Sequence, residues 1–204
     1  MHLVIISASQ RTQSQSVKVA NYIAESVTGY KKVTHFELCQ YNLPLWDGTP
    51  IGKSAEQSDW PLLNEQISQA DAFIMITPEW SGMASPLLKN LLLMCSGQDT
   101  AHKPVLLVAI SGGISGVYPI AELRMNAFKN NKLVAIPDHL IIRNVGEVLN
   151  NDNDSALSER DTNIRDRIGY SLHVLTHYSE TLKALRTNLS MHPYTNEETY
   201  SNGM

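Results

Sequence analysis

ITPEWSGMASPLLKN, residues 76–90, joins the end of an apolar run to the start of an apolar helix. Behind it, DAFIMIT (71–77) has the short, β-branched composition of a strand buried on both faces. Ahead of it, Ser85-Pro86 pairs an N-cap residue with proline at the first helical position. The helix LLKNLLLMCS then runs on to Gly97. A buried strand that enters a helix through a short loop is the building unit of a parallel sheet. The loop itself holds Pro78, Glu79, Trp80, Ser81 and Gly82. A large aromatic beside a carboxylate is more than a connector needs.

The same unit recurs on both sides. LVIIS (3–7) is a short apolar strand, followed by the polar loop ASQRTQS. Residues 15–28 carry apolar side chains at 17, 19, 20, 23, 24 and 27, which is helical spacing, and Gly29 stops the helix. KVTHFEL (32–38) alternates like a strand, and 39–58, with Pro44, Gly48, Pro50 and Gly52, reads as a long loop. A helix over 61–70 precedes the strand at 71–77. PVLLVAIS (104–111) is a further strand, then come the loop SGGISGVYP, a helix at about 119–131 and a last core strand KLVAI (132–136). NNDNDS (150–155) is a polar break before a closing helix over 157–186, and 187–204 has the composition of a loose tail. Five alternations predict one α/β domain over 1–186, with helices on both faces of a five-stranded parallel sheet. In the order 2-1-3-4-5, ligands sit where the order reverses, between strands 1 and 3. The loops that matter are therefore 8–16, 77–84 and 111–118.

Composition narrows the function. A chain of 204 residues with 43% hydrophobic and 18% charged residues can bury a sizeable core. A net charge of −4 argues against nucleic acid or an anionic membrane surface as partner. Cys39 and Cys95 are far apart and form no CxxC, which favours a reducing compartment. MHLVIISASQ has no basic region before a signal-length apolar stretch, and no apolar run reaches membrane-spanning length. The cytoplasm is the expected location.

The first loop offers hydroxyls at Ser7, Ser9, Thr12, Ser14 and Ser16, a guanidinium at Arg11, and the helix N-terminus behind them. That set suits a phosphate monoester. A serine-rich helix cap is the plainer alternative and needs only one of these residues. No GxxxxGK[ST] and no GxGxxG follows strand 1, which excludes a P-loop NTPase and the dinucleotide fingerprint. Strand 1 also lacks the carboxylates of a Mg²⁺-binding receiver domain. In SGGISG, Ser111 opens a loop whose Gly112, Gly113 and Gly116 permit close approach of a flat ligand, or simply a tight turn. His173 and His177, at i and i+4, fit a packed or solvated helix face better than a metal site. There is no GxSxG elbow, and Cys95 belongs to an apolar helix. Trp46 and Trp60 flank the long loop, as packing or as a pocket wall.

Together these loops resemble the NADPH-dependent FMN reductase family, over roughly residues 1–145. Ala8-Ser9-Gln10-Arg11-Thr12-Gln13-Ser14-Gln15-Ser16 is similar to its G-S-x-R-x-x-S-x-N, and SGGISGV to its S-G-G-x-x-G-G. TPEWSGMASPLLKN resembles T-P-E-Y-N-G-S-x-P-x-x-L-K-N, with one extra residue before Pro86, and is the most specific of the three. The resemblance implies a flavodoxin-like three-layer sandwich, FMN as cofactor, and NADPH or NADH as co-substrate. It implies a small electron acceptor: free flavin, a quinone, an azo compound or a metal oxyanion. It places Ser9, Arg11 and Ser14 at the FMN phosphate, with Gln15 and Ser16 at the helix start. Pro78, Glu79, Trp80, Ser81 and Gly82 fall on one wall of the flavin ring, and Ser111, Gly112, Gly113 and Gly116 on the opposing loop. A homodimer or homotetramer is implied, and no side-chain nucleophile. Ala8 stands for a glycine, Trp80 for a tyrosine, and Ser16 and Ser81 for asparagines. The alternative is a flavodoxin-like electron carrier or interaction module that does not oxidise NAD(P)H.

Overall fold

The computed structural model describes residues 1–54, 56–150 and 157–200. Strands β1 (His2–Ser7), β2 (Lys32–Glu37), β3 (Ala72–Pro78), β4 (Pro104–Ile110) and β5 (Val134–Ile142) pair in parallel, in the order β2-β1-β3-β4-β5. The three central strands, β1, β3 and β4, are buried along their whole length, while β2 at the edge is half-exposed. Among the described residues, α1 (Gln15–Ser26), α2 (Pro50–Lys53), α3 (Trp60–Gln69), α4 (Pro86–Met94), α5 (Gly97–Thr100) and α6 (Val117–Asn126) lie between the strands, and α7 (Glu159–Met191) follows β5.

The pleat divides each strand between two cores. Val4 and Ile6 face Leu63 of α3, Leu88 and Leu91 of α4 and Leu123 of α6. Leu3 and Ile5 face Val19 and Ile23 of α1 and Ile168, Leu172 and Leu175 of α7. Each such aliphatic side chain contributes about 1.5–3 kcal/mol by leaving water. This is the three-layer flavodoxin-like sandwich, with the chain reversing direction across the sheet between β1 and β3.

Several boundaries differ from the sequence reading. β5 reaches Ile142 instead of stopping at 136. Pro137 cannot donate to a ladder, and the pairing with β4 slips there, so that Val105 opposes Ala135 and Leu107 opposes His139. Arg124 of α6 collects the carbonyls of Ile136, Pro137 and Asp138, and Arg167 of α7 pairs with the Asp138 carboxylate. The bulge is thereby held from two helices, and the strand resumes beyond it. The long loop 39–58 contains α2 and is fastened to α4. The Asn90 amide donates to Pro44 O (2.9 Å), and its oxygen accepts from Trp46 N (2.9 Å). Trp46 and Trp60 pack there with the Lys53 ammonium over both rings, at 4.6 and 5.5 Å.

Helix α7 continues to Met191, past the expected end at 186, so the expected tail begins as helix. Of the polar break 150–155, all but Asn150 lies outside the described residues, as does 201–204. At the amino ends of the strands Asp71 accepts from His2 N (2.9 Å), Lys183 (3.1 Å) and Arg186 (3.1 Å). Arg186 also donates to His102 O (3.0 Å). Lys132 donates to Tyr200 O (3.3 Å).

Candidate functional site

The carboxyl ends of β1, β3 and β4 carry the three loops. After β1, Ala8 N donates to Ile76 O (2.9 Å), which extends the ladder by one residue. Ala8 is fully buried, so its methyl is accommodated where the resembling pattern has glycine. The Ser9 hydroxyl, also buried, accepts from Arg11 N (3.1 Å) and tightens the turn. Gln13 takes a left-handed φ of 53°, and Ser14 caps α1 by accepting from Val17 N (3.3 Å). Two residues into α1, the Ser16 hydroxyl is fully buried and has no hydrogen-bond partner among the described residues. Leaving such a group unpaired costs about 1–3 kcal/mol, so it calls for a partner.

The second loop is a tight hairpin. Trp80 and Met83 exchange backbone hydrogen bonds (3.2 and 2.9 Å), and Ser81 and Gly82 between them have φ of 51° and 76°. Both central residues at positive φ is the type I′ geometry. Thr77, fully buried, accepts from Ser85 N (2.8 Å) and so ties the strand end to the cap of α4. Ala84 N donates to one Glu122 oxygen (2.7 Å) and Lys89 to the other (2.9 Å). Trp80 points back over the first loop, with the Arg11 guanidinium 5.3 Å from its ring centroid.

Glu79 links this loop to the third. Its backbone N donates to Ile110 O (3.0 Å), and its carboxylate accepts from the N–H of Gly116, the cap residue of α6. Gly116 has φ of 113°, and a Cβ there would lie 2.5 Å from Ile141 Cγ2, so this position needs glycine. Gly112 and Gly113 differ: neither has a positive φ, and a Cβ on either would meet nothing within 4 Å. The fold does not require glycine at these two positions, and the space above them is open. Ser111 accepts from Gly113 N (3.1 Å), and Asn144 N donates to Gly113 O (3.0 Å). The segment after β5 is held in turn by Lys18 of α1, whose ammonium donates to Val145 O (2.6 Å), Val148 O (2.8 Å) and Asn150 Oδ1 (2.9 Å).

These loops enclose a cavity of about 330 Å³. Ser9, Arg11, Ser14, Gln15 and Ser16 line it from the first loop; Pro78, Glu79 and Trp80 from the second; Ser111 and Gly112 from the third. Ser81, Gly82, Gly113 and Gly116 do not line it. The first two form the hairpin tip beyond Trp80, and the last two shape the loop behind Gly112. Ile110 and Val145 add an apolar floor that the loop motifs did not reveal, because one ends a strand and the other follows β5. Thr12 and Gln13 also line it, and only Thr12 had stood out by type. Away from this cavity, Cys95 is buried and its thiol is pushed up to about 12 by that burial, which makes it unreactive. His173 and His177 stack edge-on, ring centroids 4.6 Å apart, and no group of three metal-ligating side chains occurs among the described residues. No helix among them is long and apolar enough to cross a membrane.

A loop of hydroxyls, one guanidinium and an orphaned buried Ser16 at a capped helix start fits a phosphate monoester. The facing slot between Trp80 and Gly112 fits a flat ring. The chain is 33% identical over 116 residues to an NADPH azoreductase of Bacillus sp. (strain OY1-2), a match covering 57% of this chain and 62% of that protein. It is 26% identical over 168 residues to an FMN-dependent NADPH-azoreductase of Staphylococcus aureus (strain USA300), covering 81% and 89%. An oxidoreductase from Corynebacterium diphtheriae has the same fold, with a TM-score of 0.69 at 17% identity over 88% of this chain and 97% of that one. The family described as NADPH-dependent FMN reductase matches residues 1–147, which include the whole sheet and all three loops, and the chain belongs to that family.

Proposed function

We propose that the chain is an FMN-dependent NAD(P)H oxidoreductase and that the cavity between the three loops is its FMN site. The observation that carries the assignment is the fully buried, unpartnered Ser16 hydroxyl beside the Ser14-capped start of α1. In this reading Ser9, Arg11, Ser14, Gln15 and Ser16 hold the phosphate. Trp80 shields one face of the ring. The backbone amide of Gly112 meets its polar rim, while Ser81, Gly82, Gly113 and Gly116 set the positions of those walls. Bound FMN supplies the two-electron chemistry between reduced nicotinamide and acceptor; the chain binds, orients and excludes water. No side chain is required as nucleophile or general acid.

Further features extend the proposal. The azoreductase activity for which the Bacillus and Staphylococcus relatives are named supports an azo compound as acceptor, ahead of free flavin, a quinone or a metal oxyanion. Both relatives are named for NADPH, which favours a reductase over a carrier that leaves nicotinamide untouched. Exposed Met83, Ile114 and Tyr118 near the cavity mouth support a homodimer or homotetramer. Two free cysteines support a reducing, cytoplasmic setting. The two cores draw on elements from β1 to α7, which supports one domain. The test is direct. Purified protein should be yellow or quench added FMN at micromolar levels, and should oxidise NADPH when an azo dye is present. A colourless protein that leaves FMN fluorescence unchanged refutes the proposal.

A further inference from the structure

A second cavity, of about 540 Å³, opens beyond the segment 143–149 that borders the FMN cavity. Three of the chain's seven arginines, Arg143, Arg160 and Arg167, line it together with the apolar side chains of Ile141, Val148 and Ile164. Among the described residues, Asn163 and Glu159 also line it. Such a concentration of guanidinium groups is unexpected in a chain of net charge −4.

The three arginines are not equivalent. Arg167 is paired with Asp138, and Arg160 with Glu147 at 2.7 Å. Arg143 donates through Nε to Ser115 O (2.9 Å), and its two terminal nitrogens meet no partner among the described residues. The bond to Ser115 fixes the guanidinium to the loop 111–116, the same loop whose Ser111 and Gly112 wall the FMN cavity. A forked pair of terminal N–H groups, held in place at Nε and turned toward a concave surface, suits a phosphate monoester. Apolar side chains beside it suit an aromatic base.

We propose that this cavity receives the adenosine 2′-phosphate end of NADPH, with Arg143 as the phosphate ligand and Ile141 and Ile164 against the adenine. The assignment rests on the oxidoreductase reading and adds to it the determinant of nicotinamide choice. NADH lacks the phosphate and leaves Arg143 unused, so the site selects NADPH.

The experiment uses full-length, FMN-loaded protein and the variants Arg143→Glu and Arg143→Lys. Arg143→Glu should raise KM for NADPH roughly 10- to 100-fold, the loss of a charged hydrogen-bonded contact, with KM for NADH within about twofold of native. Arg143→Lys should recover part of the NADPH affinity. In parallel, calorimetric titration with adenosine 2′,5′-bisphosphate should show binding to the native protein that Arg143→Glu abolishes, and 5′-AMP should bind weakly to both. Equal KM shifts for NADPH and NADH, unchanged KM values, or a bisphosphate that binds no tighter than 5′-AMP would overturn the assignment. The calorimetric arm reads this cavity whether or not FMN binds. Failure to bind FMN refutes the oxidoreductase reading instead, so the two failures are distinct.

Discussion

Replacing Glu79 by alanine tests how the two walls of the proposed FMN cavity are held at their spacing. The Glu79 carboxylate accepts from Gly116 N–H and bridges loop 78–82 to loop 111–116. A hydrogen bond to a charged acceptor is worth about 1.5–3 kcal/mol net. Glu79 is half-exposed, so solvent screening reduces this to about 1–2 kcal/mol. Gly116 itself is buried, and its N–H loses a partner that water cannot readily replace. If that energy orders the slot for the ring, Glu79→Ala should weaken FMN about 5- to 30-fold, at about 1.4 kcal/mol per tenfold. Glu79→Gln keeps an oxygen acceptor but not the charge, and a neutral bond is about half as strong, so the loss should be about 2- to 5-fold. The assay is quenching of FMN fluorescence on titration with apoprotein, with thermal melting of the apoprotein alongside. Affinities should run native, then Gln, then Ala. Unchanged affinity in both variants refutes the bridge. So does a glutamine variant weaker than the alanine one, which would mean that the carboxylate acts on the flavin directly.

Three other outcomes follow from described contacts. Arg11→Ala should weaken FMN by about 10-fold or more while changing riboflavin, which lacks the phosphate, far less; parallel titrations that show equal losses would remove Arg11 from the phosphate. Ser81 holds a left-handed φ of 51° in the hairpin, so Ser81→Asn should stabilise the protein by up to about 1 kcal/mol, seen as a raised urea midpoint. A lowered midpoint would mean that the Ser81 hydroxyl has a role the hairpin does not explain. Burial lowers the pKa of His35 more than nearby Glu37 raises it, and its ring shares a hydrogen bond with Ser7 (2.9 Å). A depressed folded-state pKa means stability that is full above the free imidazole's 6.5 and falls as pH drops through it toward the lower folded value. Melting between about pH 7.5 and about pH 5.5 should show that slope, and His35→Gln should reduce it. His2 shifts in the same direction, so the slope should persist in part.

The central strands were legible because β1, β3 and β4 are covered on both faces and their apolar runs are unbroken. The end of β5 was not, since Pro137-Asp138-His139 reads as a stop, and only Arg124 and Arg167, distant in sequence, hold the strand through its bulge. The loop 39–58 was opaque for a similar reason: Asn90, within the helical half of the opening stretch, secures Pro44 and Trp46. Residue type pointed to Ser9, Arg11 and Ser16, and the fold brings all three to one cavity, although a helix cap would have explained a serine there as well. The task of Glu79 could not be read, because it depends on where α6 begins. The basic cavity was hidden as well, its lining being spread over β5, the segment after it and α7.

The Asp71 cluster has a practical consequence. It fastens α7, through Lys183 and Arg186, to the edge of the sheet from which the strands start, and Arg186 and Lys132 carry the chain on along that edge to Tyr200. The cavity between the three loops opens at the other edge, a full strand length away. An affinity tag, fluorophore or surface linker grafted near residue 200 would therefore leave the cavity mouth facing solution. The protein could be immobilised on an electrode or resin by that end, with both cavities open to dye and nucleotide.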